Sequence, residues 1–122
     1  MTILTKLISL EYAAADFGFQ WETAEQIIEQ ARSELHEIEE ILHDSNRERL
    51  QEEIGDLMHA VFSLCVFCQF DPNETLRNSV EKFERRFNEV KLLALKQGLN
   101  TLQGQNFDTL MEFWEKAKTR VG

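Results

Sequence analysis

The chain has a single proline and only five glycines in 122 residues. So few breakers leave little room for the tight turns of β-rich folds, and the abundance of Glu, Leu, Ala, Lys and Gln favours helix. Its two cysteines, Cys65 and Cys68, are too few for a disulfide framework. They lie in the apolar run M-H-A-V-F-S-L-C-V-F-C, away from any helix N-terminus that would lower a thiol pKa and without a second ligand pair at zinc-site spacing. Both read as small buried hydrophobes. No run of 18 apolar residues occurs, which excludes a membrane span. The opening M-T-I-L-T-K-L-I-S-L is too amphipathic and too broken for a secretory signal, so the expected location is the cytoplasm. Positive charge is scarce: 13 Lys and Arg against 22 Asp and Glu leave a net charge of −9. That argues against non-specific binding to nucleic acid or anionic lipid. Glycine-rich phosphate loops, a G-x-S-x-G elbow and a defensible Ser-His-Asp set are missing too. Any phosphate chemistry must therefore run through a metal and basic side chains.

What remains is a single domain over residues 1–122, all-α, of about five helices. Apolar positions place a first helix over 3–17, ending near Gly18. A connector, G-F-Q-W, carries Phe19 and Trp21, which serve either as core plugs or as stacking partners for a base. Thr23 and Gln26 have capping-box spacing and start a second helix over 23–43. Asp44, Ser45 or Asn46 caps a third, which runs to about Phe70. It is nearly free of charge beyond Asp56 and too apolar for one small monomer to bury, so a partner subunit is expected to cover it. The turn Asp71-Pro72-Asn73-Glu74 opens a fourth helix over 73–96. A polar loop leads to a last helix over 107–120 with Phe113 and Trp114.

Two acid pairs dominate the second and third helices: Glu34 and Glu37, then Glu53 and Asp56. Spacing of three puts each pair on one helix face. Folding the chain back at Ser45 sets Glu37 opposite Glu53 and Glu34 opposite Asp56. On the second helix the apolar stripe is Ile27, Ile28, Ala31, Leu35, Ile38 and Leu42. On the third it is Leu50, Ile54, Leu57, Val61, Leu64 and Cys68. At 100° per residue each acid pair lies about 70° and 130° to the same signed side of its stripe. In an antiparallel hairpin the four carboxylates then form one cluster, unfavourable unless cations neutralise it. Oxygen-only ligands suit Mg²⁺ or Mn²⁺. The alternative is a solvated acidic face, since acids are common in this chain. Gly55, inside the third helix, would permit close helix approach. On the fourth helix Lys82 and Arg86 are i, i+4 and could neutralise phosphate; a surface salt-bridge pair is the plainer reading. A di-iron site would need E-x-x-H on core-facing helices. Glu40/His43 and Asp56/His59 match the spacing, but Glu40 and His59 lie about 180° from their stripes.

The residues G-F-Q-W, S-E-L-H-E-I-E-E, E-E-I-G-D-L, D-P-N-E-T-L, K-F-E-R-R-F and F-W-E-K-A-K, in this order, resemble the MazG family of nucleoside triphosphate pyrophosphohydrolases. The resemblance covers about residue 10 to the C-terminus. It implies Mg²⁺-dependent hydrolysis of a (d)NTP between the α and β phosphates, to a monophosphate and pyrophosphate, with damaged or non-standard nucleotides among the candidates. It implies metal binding by Glu34, Glu37, Glu53 and Asp56, with Glu37 or Glu53 also the catalytic base, and phosphate binding by Lys82 and Arg86. Phe19, Trp21 and Trp114 are the candidates for stacking on the base. A homodimer or higher homo-oligomer is implied, with no nucleic-acid or membrane partner. Many relatives carry a basic residue and a further Glu just before the first acid pair, where this chain has Gln30 and Ser33. Against the enzyme stands a non-catalytic helical oligomerisation module whose acids merely bind metal.

Overall fold

A computed structural model describes residues 2–122. Every regular element among the described residues is an α-helix, as the scarcity of breakers predicts: α1 (Ile3–Phe17), α2 (Ala24–Ile41), α3 (Arg47–Phe67), α4 (Pro72–Lys96) and α5 (Phe107–Val121). The helix starts are set by short polar side chains that satisfy first-turn N–H groups. The Thr2 and Thr23 side chains cap α1 and α2, Asn46 caps α3 and Asn106 caps α5. At α2 the Gln26 carboxamide reaches back to the Thr23 backbone N–H, completing the capping box. Helix α1 stops at Gly18, which adopts a left-handed φ of 97° that a Cβ would disfavour. Pro72 opens α4, where its missing N–H costs nothing.

The chain divides into two compact units, one ending at Thr75 and the other running from Leu76 to Gly122. The first is built on the antiparallel hairpin of α2 and α3, with α1 laid against α3. Its core is contributed by Ile27 and Ile41 of α2 and by Leu50 and Ala60 of α3. Helix α1 has no fully buried residue of its own. In the second unit α5 buries Phe113 and Ala117. There Arg120 Nε lies 2.6 Å from the carboxylate of Glu89, an acid that is 8% exposed. No single helix among the described residues is long and apolar enough to cross a membrane.

The apolar stripes expected on α2 and α3 each resolve into two. On α2 the residues facing α3 are Ile27, Ala31, Glu34, Ile38 and Ile41, buried or half-buried, whereas Ile28, Leu35 and Leu42 are exposed at intervals of seven. On α3 the inward set is Leu50, Glu53, Leu57, Ala60 and Leu64, while Ile54, Met58 and Val61 are 41%, 56% and 52% exposed. The two stripes are about 90° apart on each helix, and their average gives the single stripe drawn from sequence. Cys68, just past the end of α3, is exposed, and Cys65 is half-buried, so neither is the buried hydrophobe expected. Gly55 also faces open space: a Cβ there would meet nothing within 4 Å, so it serves no close approach among the described residues.

Candidate active site

Splitting each stripe moves the acids. Glu34 lies in the seam between α2 and α3 rather than beside it, and is 9% exposed. Glu37 and Glu53 are half-buried on the same flank. One carboxylate oxygen from each of Glu34, Glu37 and Glu53 lies within 4.8 Å of the other two. Glu34 Oε1 accepts a bond of 2.7 Å from the Gln30 amide, one turn earlier on α2. Glu34 Oε2 and Glu53 Oε2 are buried and accept no hydrogen bond among the described residues. Proton sharing with Glu37, then with Glu34, pushes the Glu53 carboxyl up to about 7, and burial and the charges of both neighbours add to this. Two buried oxygens without a donor, in an all-carboxylate set, fit a hard divalent cation. Asp56 is exposed, outside the close threesome.

A cavity of about 1210 Å³ opens beside these acids, walled by α1, α2 and α3. Glu34, Asp56 and Gln30 line it, with Phe19 and Trp21 from the connector. Phe19 is 79% and Trp21 38% exposed, so neither is a core plug. Glu11, His59 and Ser63 line the wall as well, and their meeting there is not apparent from the sequence. The Ser63 hydroxyl donates to Glu11 Oε1 at 2.5 Å, and His59 Nε2 lies 3.1 Å from the same oxygen. The only sequence signal for them was His59 pointing away from the hairpin stripe. The structure puts α1, and with it Glu11, on that side.

The remaining candidates belong to the second unit. Lys82 is exposed. The Arg86 guanidinium sits 5.6 Å from the centre of the Trp114 ring, and its Nε donates to the Gly122 carbonyl. Trp114 is half-buried and also packs against Phe83, with centroids 5.9 Å apart. The E-x-x-H residues do not assemble a metal site. His36 pairs with Glu40 at 2.9 Å on the surface, His43 is exposed, and His59 is engaged by Glu11.

Comparison with known proteins follows the same acid-bearing segment. Residues 22–91 match the MazG nucleotide pyrophosphohydrolase domain, a span that contains α2, α3 and most of α4. A nucleoside triphosphate pyrophosphohydrolase/pyrophosphatase MazG from Thermotoga maritima is 36% identical over 86% of this chain and 40% of its own length. A nucleoside triphosphate pyrophosphohydrolase of Escherichia coli K12 is 28% identical over 94% of this chain and 44% of its own. A Bacillus subtilis protein, YabN, is 29% identical over 62% of this chain and 15% of its own length. The chain thus spans less than half the length of these relatives. With the matched segment covering more than half of the chain, it belongs to the MazG nucleotide pyrophosphohydrolase family.

Proposed function

We propose that this chain hydrolyses nucleoside triphosphates between the α and β phosphates, releasing a monophosphate and pyrophosphate, with Mg²⁺ (or Mn²⁺) as cofactor. The observation that carries the reading is the trio Glu34, Glu37 and Glu53, of which Glu34 lines a cavity large enough for a nucleotide. Glu34, Glu37 and Glu53 would hold the ion, with Asp56, on the cavity wall, as a further ligand. Bound there, the cation supplies charge neutralisation for the phosphate oxygens.

The protein's own part is proton handling and position. Glu53, between Glu37 and Glu34, is the first candidate to take the proton of the attacking water. Glu37 is its proton-sharing neighbour and the second candidate base. As the bond from water to the α phosphorus forms, the bridging oxygen to the β phosphate leaves with pyrophosphate. Gln30 keeps Glu34 oriented through its amide. Lys82 and Arg86 are assigned to phosphate binding on the strength of the K-F-E-R-R-F motif. Phe19 and Trp21 are the first choice for stacking on the base, since both line the cavity; Trp114 is the second. We take residues 1–122 as one functional domain, because the family match runs through Thr75 without a break. The place of action is the cytoplasm, and non-standard nucleotides belong in the substrate panel.

The outward stripe of the hairpin supports a homo-oligomer. Ile28, Leu35 and Leu42 of α2 and Ile54, Met58 and Val61 of α3 carry the same signed offset, so they form one apolar surface on the side away from the acids. A second copy of the hairpin would cover it.

The test is pyrophosphate release from a panel of (d)NTPs with Mg²⁺ and with EDTA. Glu53→Gln should lower turnover on the order of 10²–10⁴-fold while helicity by circular dichroism is retained. Folded wild-type protein that releases no pyrophosphate from any (d)NTP, oxidised and deaminated bases included, would end this reading.

A further inference from the structure

The cavity wall holds a polar group that phosphate chemistry does not need. Glu11 lines the cavity from α1, among Leu7, Leu10 and Ala14 of the same helix and outside the acid trio. Its side chain is only 21% exposed. Both of its neighbours bond to one oxygen: Ser63, 5% exposed, donates to Oε1, and His59 Nε2 lies 3.1 Å from the same atom. Two donors use both lone-pair directions of Oε1. Among the described residues Oε2 receives no hydrogen bond. With Oε1 occupied by two donors, Oε2 is the oxygen left to accept from a ligand in the cavity.

We propose that Glu11 reads the nucleobase, favouring bases with an exocyclic amine, such as cytosine and adenine, over their keto counterparts uracil and hypoxanthine. The inference rests on the nucleotide-hydrolase reading of the same cavity. An amine at C4 of cytosine or C6 of adenine donates to Oε2, as Glu and Asp accept from cytosine N4 in duplex recognition. A keto oxygen at that position meets the carboxylate lone pairs head-on and leaves Oε2 unpaired. A site built to bond an N–H rejects the analogue lacking it far more strongly than an apolar pocket can. Ser63 and His59 are positioning residues: they fix the carboxylate plane and leave one oxygen for the ligand.

The experiment uses two matched pairs, dCTP against dUTP and dATP against dITP, which differ at that group and at the ring nitrogen beside it, an acceptor in the amine member and an N–H in the keto member. Wild-type kcat/KM should favour the amine member by about tenfold to a hundredfold in whichever ring size is accepted. Glu11→Gln, whose amide can donate as well as accept, should bring that ratio to within about threefold of one. Ser63→Ala should narrow it partway, with folding of both variants checked by circular dichroism. A wild-type ratio near one, or a ratio that Glu11→Gln leaves intact, overturns the inference while the hydrolase reading stands. A second arm measures binding of CMP against UMP and AMP against IMP in EDTA by calorimetry, which needs no turnover. If nothing is hydrolysed but binding still follows the amine and Glu11, the base reader stands and the hydrolase reading falls. No preference in either arm removes Glu11 from recognition.

Discussion

Three carboxylates within 4.8 Å give the metal-free protein a charge burden that depends on pH. Glu53 carries the visible part of it, with its pKa raised from 4.5 to about 7 chiefly by Glu37 and then Glu34. A carboxyl that holds its proton more tightly in the fold than unfolded stabilises the fold fully below about pH 4.5. That contribution is lost as pH rises through 7. In EDTA, therefore, the Tm advantage of Glu53→Gln over wild type should grow between about pH 5 and pH 8. Mg²⁺ at the higher pH should restore wild type and leave the variant nearly unmoved. A Tm difference that is flat across this range would mean that the three acids do not interact as the geometry requires. At this scale the sequence was legible where spacing alone decides, as for Glu34, Glu37 and Glu53. It was silent on Glu11 and Ser63, which lie 52 positions apart and meet only because α1 is laid on α3.

At the scale of elements, the caps did most to make the helices readable. Thr23 with Gln26, and Asn46 at the start of α3, are local signals, and local hydrogen bonds fix them whatever the rest of the chain does. Thr23→Ala should cost about 0.5–2 kcal/mol, seen as a Tm lowered by a few degrees with the melt still cooperative. No change in Tm would mean that the box is not formed in solution. The apolar stripes were harder to read. Two stripes about 90° apart blur into one when every hydrophobe is assumed to face inward. What separates Leu50, Leu57 and Leu64 from Ile54 and Val61 is only which neighbour is present, and that is a tertiary fact. The same blur put Glu34 beside the seam when it lies within it.

For the whole molecule, the hairpin has two opposed sides. One bears the acids, the cavity and α1, and the other bears the exposed apolar side chains Ile28, Leu35, Leu42, Ile54, Met58 and Val61. If a second copy covers that other side, a charge placed there must be buried or must break the assembly. Val61→Glu or Leu35→Glu should then raise the dissociation constant at least about a hundredfold, read as a fall in mass by light scattering on a sizing column. Wild type that runs as a monomer at high concentration would refute the covered face. Lys82, Arg86 and Trp114 show where motif and geometry speak separately. The motif names them, while the structure holds Arg86 over Trp114, and Trp114 against Phe83, within the second unit.

Helix α1 supplies Glu11, Tyr12 and Leu7 to the cavity wall yet has no fully buried residue. An element that shelters a ligand while owning none of the core is cheap to detach, so its opening free energy should sit well below that of α2 and α3. In native-state hydrogen exchange the α1 amides should be the first of the three helices to take up deuterium. A nucleotide in the cavity should slow them selectively, turning the least protected wall into part of the global unfolding unit. Exchange of α1 as slow as that of α3 in the free protein would contradict this. If it holds, entry and release are governed by the coming and going of one helix, and the cavity is a doorway as much as a pocket.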